Sequence, residues 1–156
     1  MPVRFVHTNI IANDWRRLAS FYETVLGCLP IPLERDLSGD WLSEATAIKD
    51  ARISGIHLRL PGYDENGPTL EIFQYGSMPS RPDIVLNTPG FSHIAFAVDD
   101  VAAMAEAVRN AGGRDVGKLT EIEIPGTGFL VFQYVADPEG NIIELQKWTR
   151  RGNEVA

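Results

Sequence analysis

The chain has 156 residues, 44% of them hydrophobic and 22% charged, with a formal net charge of -7. That is one ordinary domain or two small modules sharing a core, and it can bury roughly 68–70% of its unfolded surface without a disulfide or a metal staple. The acidic balance, with Arg16-Arg17 and Arg150-Arg151 as the only adjacent basic pairs, argues against nucleic acid or an anionic membrane as the main partner. A single cysteine, Cys28, allows no intrachain disulfide and points to a reducing, cytoplasmic setting. No run approaches the roughly 18 apolar residues of a membrane span, and MPVRFVHTN has no apolar stretch of signal-peptide length.

In chain order, residues 3–11 read as a buried strand holding a lone histidine, His7, within FVHTNIIAND. A helix over 14–26 follows. Trp15, Leu18, Tyr22, Val25 and Leu26 fall at helical spacing, Asp14 suits the N-cap, and Gly27 suits the position after the end. Strands are expected over 28–34, 53–60 and 69–75, the last two separated by PGYDENGP, a run of turn formers at 61–68. The linker GSMPSRPDIVLNTPG covers 76–90.

Residues 91–100, FSHIAFAVDD, repeat the opening stretch. Phe5 meets Phe91, His7 meets His93 and Asp14 meets Asp100, all at an offset of 86 residues. A second helix is expected over 100–111, with Val101, Met104, Ala105 and Val108 as its apolar stripe. Strands follow at 91–98 before it and at 114–119, 128–136 and 141–148 after it, the last two joined by DPEGN. TLEIFQY at 69–75 matches IIELQKW at 142–148 and aligns Glu71 with Glu144 at an offset of 73, so the first half is 13 residues longer. The surplus falls in RDLSGDWLSEATAIKDA, 35–51, which has no counterpart. The chain therefore reads as an internal duplication. The modules are 1–75, with the extra loop 35–51, and 91–148, followed by a tail at 149–156. Together they make one domain.

Side chains alternate along a strand. Val6, Thr8 and Ile10, like Ile94, Phe96 and Val98, suit the face under the helices. His7 and His93 then lie on the other face. A carboxylate in an apolar strand needs a partner or a shifted pKa. Two Glu and two His placed equivalently by a repeat can serve one another through a metal. His7, Glu71, His93 and Glu144 offer two imidazole nitrogens and two carboxylates, a set suited to one divalent ion such as Ni, Zn, Mn, Co or Fe. His57 lies 14 residues before Glu71, and the residue 14 before Glu144 is Leu130. Without an echo, His57 reads as an ordinary core or edge histidine.

FVHTNIIANDWRRLASFYETVLG, TLEIFQY, GFSHIAFAVDD and YVADPEGNIIEL resemble the vicinal oxygen chelate superfamily, the glyoxalase, bleomycin resistance and extradiol dioxygenase proteins, over about 3–148. The resemblance implies an α+β fold, two βαβββ modules forming a curved eight-stranded mixed sheet around a metal site. It implies ligands from the first and fourth strands of each module, here His7, Glu71, His93 and Glu144, and a homodimer. It further implies chelation of a small oxygenated carbonyl substrate and stabilisation of an enolate or enediolate, with Glu144 as the base and Glu71 as ligand or partner base. The pattern is closest to the bacterial-type glyoxalases, so a metal-dependent lyase or isomerase is expected. The alternatives are an extradiol-type ring-cleaving dioxygenase, disfavoured because Glu71 fills a position left non-ligating there, and a non-catalytic small-molecule-binding or resistance protein. Glyoxalases that use glutathione carry Arg and Asn where this chain has Ile11 and Tyr75, which argues against glutathione.

Four lesser features complete the reading. The segment with Asp40-Trp41-Leu42 is either a short helix that lids the pocket or a loop packing Trp41 and Leu42 at a dimer interface. PGTG at 125–128 lacks the Lys and helix of a phosphate loop and reads as a turn. Arg35, Arg52 and Arg59 can meet an acidic substrate, but exposed strand-edge charges are the default reading. Cys28 reads as a small core residue.

Overall fold

The computed structural model describes residues 3–149. The chain divides into two compact units, 1–81 and 82–156. From residue 150 onward, the expected tail lies outside the described residues.

The first unit contains β1 (His7–Ile11), α1 (Trp15–Leu26), β2 (Leu29–Ser38), α2 (Asp40–Thr46), β3 (Arg52–Arg59) and β4 (Thr69–Tyr75). Its four strands form one sheet in the order β1-β4-β3-β2, with β1 parallel to β4 and the other neighbours antiparallel. The helix α1 starts where Asp14 accepts a hydrogen bond from the Arg17 backbone N–H at 3.1 Å, and it ends at Gly27. Its stripe of Leu18, Phe21 and Tyr22 is buried, as are Ile56, Leu58, Leu70 and Ile72 on one face of the sheet. Each such side chain removed from water contributes about 1.5–3 kcal/mol, and this burial fixes which face of β3 and β4 is left for chemistry.

The second unit contains β5 (His93–Ala97), α3 (Val101–Asn110), β6 (Arg114–Asp115), β7 (Thr120–Ile124), β8 (Gly128–Ala136) and β9 (Ile142–Thr149). Its sheet runs β5-β9-β8-β6, with β7 also paired to β8. Asp100 caps α3 by accepting from the Ala103 N–H at 2.9 Å. Val101, Ala105 and Val108 are buried, as are Phe96, Val135, Ile143 and Leu145 of the strands. Because both helices start on the same kind of cap, Asp14→Ala and Asp100→Ala are each expected to lower stability by about 1 kcal/mol. The urea midpoint should fall while the slope stays unchanged.

The expected strand–helix–strand order is therefore present twice, with shifted boundaries. Strand β1 begins at His7 rather than residue 3, because Val3, Phe5 and Val6 are exposed and only the Val6 carbonyl joins the ladder, accepting from the Thr69 N–H at 3.0 Å. Strand β2 runs on to Ser38 past a break in register between Ile31 and Arg35, and the rest of the surplus segment includes the helix α2. Nine strands are present among the described residues rather than eight, because the stretch read as one strand over 114–119 is a two-residue pairing, followed by a separate strand, β7. The segment PGTG is the turn that makes β7 possible. Pro125 and Gly126, with φ of +79° at Gly126 and the Thr127 N–H bonded to the Ile124 carbonyl at 3.0 Å, form a type II hairpin turn.

Candidate functional site

The register of each sheet lays out its open face in rows. In the first unit, one row is His7, Thr69, Arg59 and Leu29, and the next is Asn9, Glu71, His57 and Ile31. The third is Ile11, Phe73, Gly55 and Arg35. A Cβ at Gly55 would overlap the Ile72 carbonyl oxygen and the Phe73 ring, so only glycine lets β3 approach β4 there. Leu42 of α2 packs with Ala51 and Ile53 against Leu37, Phe73 and Tyr75, so the surplus segment forms a helix on this same face, while Trp41 stays exposed. Tyr75 is thereby engaged in packing.

Glu71 is buried, with 8% of its surface exposed, and has polar neighbours on three sides. His7 Nδ1 lies 3.5 Å from its Oε1 and His57 Nε2 lies 3.4 Å from the same oxygen. Asn9 Nδ2 donates to Oε2 at 3.2 Å. Burial lowers the pKa of His57, outweighing the Glu71 charge, which raises it; the positive charge of Arg35 acts in the same direction as burial.

In the second unit the rows are His93, Ile142, Ala136 and Arg114, then Ala95, Glu144 and Tyr134, then Ala97, Gln146, Phe132 and Thr120. His93 Nε2 lies 3.0 Å from Glu144 Oε2. The Tyr134 ring meets the His93 ring edge-on, with centroids 5.2 Å apart. Burial, followed by the Glu144 charge, raises the Tyr134 pKa.

Each unit thus draws together one His and one Glu of the four residues picked out by the repeat. Two donors about 2.0–2.2 Å from one metal at a right angle stand about 3 Å apart, close to the 3.0 Å and 3.5 Å found here. The donor chemistry and spacing of each pair fit a divalent ion. Among the described residues, no group of three or more His, Cys, Asp or Glu side chains is arranged as a ready metal cage.

The reading along the chain did not set His57 beside Glu71; the ladder does, with His57 half-buried on β3. Counting 14 residues back from each Glu compares unlike positions, because the β3–β4 connection spans 60–68 and the β8–β9 connection only 137–141. Paired across the ladder, Glu71 faces His57 and Glu144 faces Tyr134. The echo of His57 is therefore Tyr134, not Leu130. Arg52 is an exposed charge as expected and pairs with Asp36 at 3.1 Å. Arg59, however, is only half exposed, and its Nε is buried.

Cys28 is 1% exposed, and burial pushes its thiol up to about 12 from an ordinary value of 9.0. A thiol raised in the folded state contributes stability that is present below pH 9 and is lost as pH rises from there toward about 12. Native protein at pH 8 should resist a thiol-specific disulfide reagent, while urea-unfolded protein should titrate one thiol per chain. Rapid labelling of the native protein would contradict the core assignment.

Residues 4–145 match the sequence model of the glyoxalase/bleomycin resistance protein/dioxygenase superfamily. The chain is 29% identical over 155 residues to the lactoylglutathione lyase of Haemophilus influenzae, covering 96% of this chain and 98% of that one. It is 26% identical over 145 residues to a Vibrio parahaemolyticus protein named "Probable lactoylglutathione lyase", covering 91% and 88% of the two chains. A glyoxalase family protein of Bacillus cereus shares the fold with a TM-score of 0.71 at 18% identity, over 92% of this chain and 91% of that one. No described helix is long and apolar enough to cross a membrane. The two His–Glu pairs stand on a duplicated βαβββ framework, and the chain belongs to the glyoxalase/bleomycin resistance protein/dioxygenase superfamily.

Proposed function

We propose that the protein is a divalent-metal-dependent lyase or isomerase of the glyoxalase-like type, acting on a small oxygenated carbonyl compound. His7, Glu71, His93 and Glu144 are its metal ligands, and Glu144 is the base, with Glu71 as ligand and partner carboxylate. The observation that carries the reading is the pairing of His7 with Glu71 and of His93 with Glu144 at equivalent positions, 3.5 Å and 3.0 Å apart. The relatives named as lactoylglutathione lyases support it. The proposal includes a cytoplasmic homodimer as the working form.

When bound, the metal supplies Lewis-acid stabilisation to the oxyanion that develops on the substrate. The remaining work belongs to the chain. Glu144 removes the proton α to the carbonyl and can return it to the neighbouring carbon. Its neighbours are His93 and the Tyr134 ring, so its carboxylate keeps a lone pair for that proton. Glu71, bonded by Asn9 and approached by His57, is held in place rather than freed for transfer. Phe73 and Ile11 lie on the same sheet face as Glu71. Ile11 and Tyr75 stand in place of Arg and Asn, which argues against a glutathione adduct as substrate.

The test is metal analysis of the purified protein. Stoichiometric Ni, Zn, Mn or Co, lost in both His7→Ala and Glu144→Ala, supports the reading. Obligate Fe(II) with oxygen consumption on catechols replaces it with a ring-cleaving dioxygenase. No metal uptake by a folded protein replaces it with a binding protein. Efficient turnover of the methylglyoxal–glutathione hemithioacetal would overturn the exclusion of glutathione.

A further inference from the structure

A duplicated fold carries its own control. Where equivalent rows of the two sheets differ, one unit has something the other lacks. Thr69 and Arg59 in the His7 row stand where the His93 row has Ile142 and Ala136. Arg35 ends the third row of the first unit where the second unit has Thr120. Arg114 ends the His93 row, but its guanidinium lies over Gly140 of the β8–β9 turn.

Arg59 also differs from the other arginines by its partners. Arg16 is paired with Glu34, Arg52 with Asp36 and Arg109 with Asp115. Arg59 has no carboxylate or hydrogen-bond partner among the described residues, and its Nε is buried and unsatisfied. Arg35 donates to the Leu33 carbonyl at 2.8 Å and has no carboxylate partner among the described residues. A buried N–H of a permanent cation is costly unless something accepts from it. In a chain of net charge -7, two uncompensated arginines on the face that carries Glu71 call for a negative partner from outside.

We propose that Arg59, with Thr69 across the ladder and Arg35 two rows away, receives an anionic oxygen group, a carboxylate or a phosphate, on the ligand of this face. Once the side chain turns its covered Nε outward, Nε–H and one Nη–H of the guanidinium form a fork that matches two oxygens of such a group. Arg59 sits one strand repeat, about 7 Å, from His57, whose ring approaches Glu71. The inference rests on the reading of Glu71 as part of the reaction site and deepens it. The substrate class becomes a short oxygenated carbonyl compound bearing an acid group at the end away from the reacting carbon.

The test follows the Arg59 Nε–Hε resonance by NMR in full-length protein, metal-free and metal-loaded, assigned by its loss in Arg59→Lys. The probes are glutarate, inorganic phosphate and the uncharged 1,5-pentanediol. A saturable shift with an anion and none with the diol is expected. Arg59→Gln should weaken anion binding, read at the backbone amides of β3 and β4, by about tenfold or more. Arg114→Gln should leave it unchanged. A response to glutarate alone assigns a carboxylate, one to phosphate alone assigns a phosphate, and a response to both assigns their shared chemistry. No saturable shift with either anion, or wild-type affinity in Arg59→Gln, overturns the proposal. The two readings fail separately. An anion response in protein that takes up no metal leaves this site and removes the metal enzyme, whereas metal uptake without an anion response does the reverse.

Discussion

Glu144→Gln is expected to lower turnover by about 10²–10⁴-fold while the protein stays folded and retains part of its metal. That range is the usual worth of a positioned general base. Gln keeps the shape and one oxygen donor but cannot take up a proton. The two carboxylates differ in surroundings, and that difference assigns the roles. Glu71 is approached by two imidazoles and bonded by the Asn9 amide, so its oxygens are engaged. Glu144 faces His93 at 3.0 Å and, across the ladder, Tyr134, whose contribution is an aromatic ring against His93. The measurement is kcat per bound metal, with metal content determined on the same sample. Glu71→Gln should lose metal first and keep most of its kcat per bound metal. If Glu71→Gln lost kcat per metal and Glu144→Gln did not, the two roles would be exchanged.

Much of this framework is legible along the chain because local rules act locally. Asp14 and Asp100 are strong caps, and each is followed by a stripe that can only bury itself as a helix. Strands β4 and β8 are apolar runs bounded by turn formers, and their expected limits agree with those found. What failed was whatever depends on a partner strand. TEIEI at 120–124 alternates cleanly, but on its own it cannot say that the turn at 125–127 folds it onto β8. His57 was passed over because its neighbour lies across a hairpin whose connection differs in length between the halves. Chain offsets carry no information across such a change, whereas ladder pairing does. Arg59 looked like an edge charge for the same reason. Its neighbours across the ladder are Thr69 on β4 and Leu29 on β2.

The pairing of His57 with Glu71 makes a second strong prediction. His57→Ala is expected to weaken metal binding by about 10–100-fold, the usual cost of removing a side chain that orients a ligand. Burial lowers the pKa of His57, which favours its neutral form. Nε2 lies 3.4 Å from Oε1 while the Asn9 amide bonds Oε2, so the two side chains flank the carboxylate. His57→Gln, whose amide can still donate, should recover part of the loss. Tyr134→Phe keeps the ring that meets His93 and should leave affinity unchanged. Calorimetric titration of metal-free protein with Ni or Zn measures all three, and urea unfolding of the metal-free variants separates lost orientation from lost stability. An unchanged affinity in folded His57→Ala would mean that Asn9 and the strand alone hold Glu71, and His57 would return to being an ordinary half-buried residue of the sheet.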